Sequence, residues 1–518
     1  MSLAILYSRA QCGIEAPLVT VEVHLSNGLP SLSIVGLPET AVKESKDRVR
    51  SALLNSHYEF PARRITINLA PADLPKDGGR YDLAIALGIL AASGQIPATQ
   101  LGHYEFAAEL ALNGELRPVR GILPLSVKAR DAGRQLIVAE PNAAEAALAG
   151  GATVYAAASL LDVCAHLQQQ QLLQPQQPLV PDNALQHHSS ASHNDHDLAD
   201  IAGQQHAKRA LQIAAAGGHS LLMIGPPGTG KTMLASRLPG ILPAMTEAEA
   251  LETASIYSIS FQGFDPALWR QRPFRSPHHT ASGVALVGGG SNPKPGEISL
   301  AHNGVMFLDE LPEYDRRVLE VLREPLESGL IHISRATQQA VFPARFQLIA
   351  AMNPCPCGYL GASNGRCHCT SEQVARYRAR VSGPLLDRID MHIEVPPLAA
   401  GALQQPRNNQ PDSTTVRQQV QRARQQQLQR CGKANHRMTV QDIRHHCRLQ
   451  SAEQQLLESA CEQLGLSARA HHRILKVART IADLNHAQTI DKNHLTEAIS
   501  YRRLDRRADL HTMSPAEY

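Results

Sequence analysis

The 518-residue chain has no run of eighteen strongly apolar residues, so it offers no membrane-spanning helix. Its N-terminus, MSLAILYSRA, lacks the basic-then-apolar order of a secretory leader. Neither sign of charge dominates. Fifty Lys and Arg face 47 Asp and Glu, leaving +3, which excludes a histone-like protein and confines any nucleic-acid contact to local patches. Cysteine is too sparse for a secreted disulfide scaffold: there are nine, five of them scattered (Cys12, Cys164, Cys431, Cys447, Cys461). No repeat of solenoid length recurs. These absences predict a cytosolic protein without a membrane role, of roughly two to four domains.

Two tracts break the composition. Gln168 to Pro181 and Gln186 to Asp197 are rich in Gln, His, Ser and Pro, and 396–412 is rich in Gln, Pro and Asn. Such segments bury too little apolar surface to offset their ordering entropy and read as linkers. The four linker histidines offer metal ligands, but a solvated tract is the simpler reading. The division predicted is a first block over 1–165, a linker over 166–197, a central block over 198–395, a second linker over 396–412 and a last block over 413–518. Alternation in Val19–Leu25 and Ile65–Leu69 predicts strands, while Ala41–Ser56 and Asp82–Ala92 predict helices. In the last block Ile474, Leu475, Ala478 and Ile481 share one face of a helix spanning Ser467 to Asn485, and the whole block reads as helical.

The central block carries the chemistry. The apolar strand His219–Ile224 runs into Gly225, Pro226, Pro227, Gly228, Thr229, Gly230, Lys231 and Thr232, a phosphate-binding loop. Its glycines let backbone N–H groups wrap phosphates at a helix N-terminus. Lys231 is placed to neutralise the β- and γ-phosphates of ATP, and the Thr232 hydroxyl to ligate Mg²⁺. A second apolar strand, Val305–Leu308, ends in Asp309 and Glu310: a carboxylate for Mg²⁺ and a base for the attacking water. A third, Phe346–Met352, ends at Asn353, a polar group suited to orienting water near the γ-phosphate.

Four further cysteines, Cys355, Cys357, Cys367 and Cys369, form two Cys-x-Cys pairs within fifteen residues. Four thiolates around a Gly-rich turn close a tetrahedral Zn²⁺ site, with His368 as a spare ligand. An iron–sulfur cluster prefers other spacings, and free thiols or a redox pair is the remaining alternative. Zinc is favoured on ligand type, and its position after Asn353 suggests that it stiffens the loop linking that sensor to the neighbouring hairpin.

Residues 198–395 resemble the AAA+ ATPases. The resemblance implies that Asn353 is the sensor-1 residue and that Arg388 is an arginine finger completing a neighbouring subunit's site, hence a ring; a helix-end salt bridge is the alternative for Arg388. Ile331–Val341 is similar to the pre-sensor-1 hairpin of minichromosome-maintenance helicases and magnesium-chelatase ATPases, which places Arg335 as a DNA contact in the pore. The helical block resembles the family's lid, with Arg469 or Arg473 as sensor 2; sequence does not decide between them, and either reads equally as a solvated helix residue. Residues 70–140 resemble the Lon protease domain, but Arg80 stands where the nucleophilic serine belongs and Leu123 where the lysine belongs, so the dyad chemistry is missing. The DNA-repair ATPase RadA has a similarly dyad-free domain, which implies ring assembly or DNA binding. The basic runs Lys43–Arg50 and Arg63–Arg64 are equally well a solvated face.

The order is a Lon-like α+β domain, an αβα P-loop module with the hairpin, and a helical lid. It is similar to the YifB/ComM family, whose characteristic stretches appear here as Phe274–Thr280, Gly296–His302 and Cys355–Tyr359. The resemblance implies a hexamer assembled with nucleotide or DNA, acting on single-stranded and branched DNA as a branch-migration helicase in natural transformation, alongside recombination proteins. A chelatase-like ring remodelling a protein partner and a regulatory ATPase are the alternatives.

Overall fold

The computed structural model describes residues 2–177, 197–290, 293–334, 339–361, 366–398 and 411–502. Most of both linkers and Arg335 lie outside the described residues.

The alternating segments of the first block are strands, Leu18–Ser26 and Arg64–Ala70, with Val19, Val21, Val23, Ile65, Ile67 and Leu69 turned inward. They belong to a seven-stranded mixed sheet ordered Ser31–Val35, Arg64–Ala70, Leu18–Ser26, Leu3–Arg9, Tyr104–Ala107, Gln135–Ala139, Val154–Ala157. From Leu3–Arg9 through the last strand the pairings are parallel. Helix Asp82–Ala92 is apolar all round, and all of it is buried. Gly88 lets it press on the sheet, since a Cβ there would come within 2.5 Å of Val23. The helix expected over 41–56 is two, Thr40–Lys43 and Ser45–Asn55. Arg48, within the first basic run, folds onto the buried carboxylate of Asp82 at 2.7 Å.

The central block is a five-stranded parallel sheet ordered Phe274–Arg275, Val305–Leu308, Gln347–Met352, Leu221–Ile224, Met391–Glu394. Its strands are short and apolar because both faces are covered, as parallel sheets require. Helices Gln205–Gly217 and Lys231–Ile241 contribute to one flanking core. The expected hairpin is present as Leu330–Ser334 paired with Gln339–Pro343. In the last block five helices, Ser413–Cys431, Val440–His446, Ser451–Leu464, Ala468–Leu484 and Lys492–Ser500, share the same core as Leu221 and Ile349. Ile474, Leu475, Ala478 and Ile481 are all buried there, and burying each large aliphatic contributes about 1.5–3 kcal/mol. None of the described helices is long and apolar enough to cross a membrane.

The first block docks directly on the central one. Leu123 is fully buried with Met245, Ala250, Ala254 and Trp269. Beside it the Gly121 N–H donates to the Ser258 carbonyl at 3.0 Å. Burial pushes the neighbouring Glu145 carboxyl up to about 7, against hydrogen bonding with Ser258 and the Leu123 backbone. Arg120 lies over the ring of Phe261, 5.4 Å from its centroid.

Candidate active site

The parallel sheet brings the C-terminal ends of its strands together, the edge where α/β folds bind ligands. The phosphate loop follows Ile224, Asp309 follows Leu308 and Asn353 follows Met352. The loop needs its glycines. A Cβ at Gly225 would lie 2.2 Å from the Val395 carbonyl, and Gly228 and Gly230 have φ of 77° and 87°. Lys231 opens the following helix, and its ammonium donates to the carbonyls of Gly225 (2.7 Å) and Pro226 (2.9 Å) and to Asn353 Oδ1 (3.2 Å). Burial lowers its pKa, while Asp309 and Glu310 oppose that. The Thr232 hydroxyl donates to Asp309 Oδ2 at 2.7 Å. Two hard oxygen donors thus lie side by side, a set that fits Mg²⁺. Glu310 comes next with φ 51°, a left-handed conformation rare for a side-chain-bearing residue, and its N–H donates to Asp309 Oδ1 at 2.9 Å.

Lys231, Thr232, Asp309, Glu310 and Asn353 therefore converge. Arg388, Arg469 and Arg473 do not join them. Strand Met391–Glu394 pairs with Leu221–Ile224 in the register Leu221↔Met391, so Arg388 lies at the N-terminal end of the sheet. About 10 Å of strand separates that end from the loop. There Arg388 pairs with Glu327 at 2.9 Å, and Arg469 reaches the same oxygen at 3.3 Å. Arg473 instead pairs with the buried Asp390. Burial alone would raise the Asp390 carboxyl, but Arg473 and His219 hold it well below the usual range.

The four cysteines meet as their spacing suggests, with all sulfurs within 4.8 Å of one another. Cys355 Sγ is 3.3 Å from Cys357 and 3.8 Å from Cys367, and Cys357 is 3.6 Å from Cys367. Thiolates 2.3 Å from a tetrahedral zinc stand about 3.8 Å apart, so the set fits that ion. The Tyr359 backbone N–H is the main cause pulling the Cys357 thiol down to about 6. The expected link to the hairpin is not present: the hairpin precedes strand Gln347–Met352 and the cysteines follow it. Gly358 instead abuts the phosphate loop, where an added Cβ would come within 2.8 Å of Pro227.

Where the Lon resemblance expects the dyad, Arg80 is 8% exposed and donates to Gln11 Oε1 (2.9 Å) and the Arg120 carbonyl (3.2 Å). Leu123 belongs to the interface core.

Two residues near the nucleotide site carry no assigned role in the sequence patterns above. Gln204 donates to the carbonyls of Pro396 (2.7 Å) and Thr229 (3.5 Å), tying the chain's entry into the module to the loop; nothing in the sequence singles it out. His279, inside the stretch Phe274–Thr280, lies 3.4 Å from Glu310 Oε2. The distinctive sequence of that stretch was visible, but not what it touches.

The chain matches family models described as magnesium chelatase subunit ChlI over 197–403, subunit ChlI of Mg-chelatase over 21–142, and the ChlI C-terminal region over 410–502. It is 55% identical over 506 residues to competence protein ComM of Haemophilus influenzae, covering 98% of each chain. It is 53% identical to protein YifB of Escherichia coli over 507 residues, again 98% of each. A shorter likeness, 30% over 96 residues, links 18% of the chain to 10% of the DNA replication licensing factor Mcm6 of Drosophila melanogaster.

Proposed function

Because the chain belongs to the YifB/ComM family of AAA+ proteins related to the magnesium-chelatase ChlI subunit, we propose that it is an ATP-driven ring motor acting on DNA. The observation that carries the ATPase reading is the convergence of Lys231, Thr232, Asp309, Glu310 and Asn353 at one edge of the sheet. Lys231 and the loop N–H groups hold the β- and γ-phosphates, and Thr232 and Asp309 hold Mg²⁺, which supplies positive charge. Glu310 accepts a proton from the attacking water, and Asn353 orients that water. Arg388 and Arg469, at the far end of the sheet, serve the nucleotide of the adjacent subunit. Each site is then completed by its neighbour, which a closed ring provides, and six copies is our assignment.

The DNA reading is supported by the competence protein to which the chain is similar, by the likeness to a replication licensing factor, and by the hairpin Leu330–Pro343. Arg335, which lies outside the described residues and falls in sequence between the two strands, is proposed to meet phosphates in the pore, and the motor to drive branch migration during recombination of incoming DNA. Zinc at the four cysteines is proposed as structural. The likeness to a magnesium-chelatase subunit favours a second reading, a ring that remodels a protein partner.

Lys231→Ala is expected to weaken ATP binding. Glu310→Gln is expected to retain binding while hydrolysis falls by about 10²–10⁴. Equilibrium binding and turnover measured on both variants test the site, and wild-type hydrolysis by Glu310→Gln would remove it.

A further inference from the structure

The geometry points to a phosphate-binding site at the junction of the first and central blocks, built by Arg80, Arg120 and Lys294. The buried Arg80 is the starting observation. Its hydrogen bonds go to neutral oxygens, Gln11 Oε1 (2.9 Å) and the Arg120 carbonyl (3.2 Å). Among the described residues no carboxylate lies within ion-pair distance of it. A cation taken out of water without a counter-charge carries a large desolvation cost, which a bound anion would relieve.

Two further cations converge on the same seam. The Arg120 guanidinium and the Lys294 ammonium both lie over the ring of Phe261, 5.4 and 5.0 Å from its centroid. The ring steadies the two long side chains, and neither forms an ion pair among the described residues. Burial lowers the Lys294 pKa, and Arg120 and Arg80 lower it further against Asp77. Asp77 also acts on Arg80. Two other carboxylates nearby face cations of their own. Glu15 pairs with Lys128 at 3.1 Å, and Glu109, which lies against Gly79, pairs with Arg117 at 3.9 Å. Three cations therefore meet one carboxylate, and two guanidiniums with an ammonium suit phosphate.

The site spans both blocks. Gly121, with φ 72°, brings the first block against the central one: an added Cβ would stand 3.1 Å from Gln11 Oε1 and 3.2 Å from Ile259. The turn carrying Gln11 runs on to Gly13, whose added Cβ would lie 3.5 Å from the Val341 carbonyl. Ile14 then packs on the core that holds Ile331 and Phe342. One turn thus touches both Arg80 and the hairpin Leu330–Pro343. A DNA strand engaged by that hairpin is one source of the phosphate, and a small phosphate is the other. The site stands apart from the ATPase reading; only its DNA arm rests on the DNA reading above.

The first arm of the test uses full-length Lys231→Ala protein, so that the phosphate loop contributes little. Pyrophosphate is expected to raise its melting temperature by several degrees. The gain should vanish when Arg120→Ala and Lys294→Ala are added together, and also with Arg80→Gln. Arg120 is exposed and Lys294 half-buried, so the paired variant should melt normally without pyrophosphate. In the second arm, anisotropy of a labelled single-stranded oligonucleotide is followed across a salt titration. A strand at the site predicts that Arg120→Ala and Lys294→Ala each weaken binding several-fold and reduce the slope of log affinity against log salt by about 0.7. An unchanged slope beside a pyrophosphate gain that depends on these residues would assign a small phosphate. A gain that persists in the variants, or no gain together with an unchanged slope, would overturn the site. Wild-type protein that binds no DNA would remove the DNA reading and leave the pyrophosphate arm to decide.

Discussion

The guanidinium of Arg388 lies 2.9 Å from the carboxylate of Glu327, at the opposite end of the sheet from Lys231. Arg469 shares the same Glu327 oxygen. In the proposed ring, these two cations on one half-exposed carboxylate are the group we propose turns to a neighbour's phosphates, since charge-assisted bonds to phosphate are the stronger kind.

Arg388→Ala should therefore bind ATP normally and hydrolyse it poorly. Mixing Arg388→Ala with Lys231→Ala should restore part of the rate, because some interfaces then pair an intact loop with an intact arginine. Subunit-mixing turnover assays check this. No recovery in rings shown to exchange subunits would mean that Arg388 does not act across an interface.

For the cysteine cluster, protein prepared without chelator should contain about one zinc per chain. Replacing Cys367 and Cys369 with Ser should release it and weaken ATP binding, because Gly358 packs against Pro227 of the phosphate loop. Elemental analysis and nucleotide titration on the same samples give both readings. Metal loss with unchanged ATP affinity would show that the contact carries no coupling.

Placing a lysine where the Lon resemblance expects one should fail in a specific way. Leu123→Lys puts an ammonium among Met245, Ala250, Ala254 and Trp269, where it must lose its proton or break the interface. Neutralising a lysine at pH 7 costs about 5 kcal/mol, visible in denaturant unfolding. Neither the wild type nor this variant should cleave casein, with or without ATP, since Arg80 is no nucleophile.

The parts of this molecule that were legible in the sequence are those whose partners lie nearby in the chain. The phosphate loop, the acidic pair after Val305–Leu308 and the four cysteines are each short contiguous patterns, and the alternation in Val19–Leu25 gives a strand by itself. The meeting of His279 with Glu310 was hidden because it depends on strand order: Phe274–Arg275 lies beside Val305–Leu308 only through long-range pairing. Arg469 and Arg473 are equivalent by spacing. Only the fold separates them, sending one to Glu327 and the other to the buried Asp390. In the sequence Leu123 stands out only as the residue in place of the Lon lysine; that most of its buried neighbours come from the central block depends on long-range packing.

The most direct test of an ATP-driven DNA motor is hydrolysis measured without DNA, with single strands and with a four-way junction, across a salt titration. DNA should stimulate turnover, most with the branched substrate, and the stimulation should fade as salt rises because phosphate contacts release counterions. Arg335→Ala should lose much of the stimulation and keep basal turnover. A rate that is the same with and without DNA at every salt concentration would contradict the DNA role and leave the protein-remodelling ring.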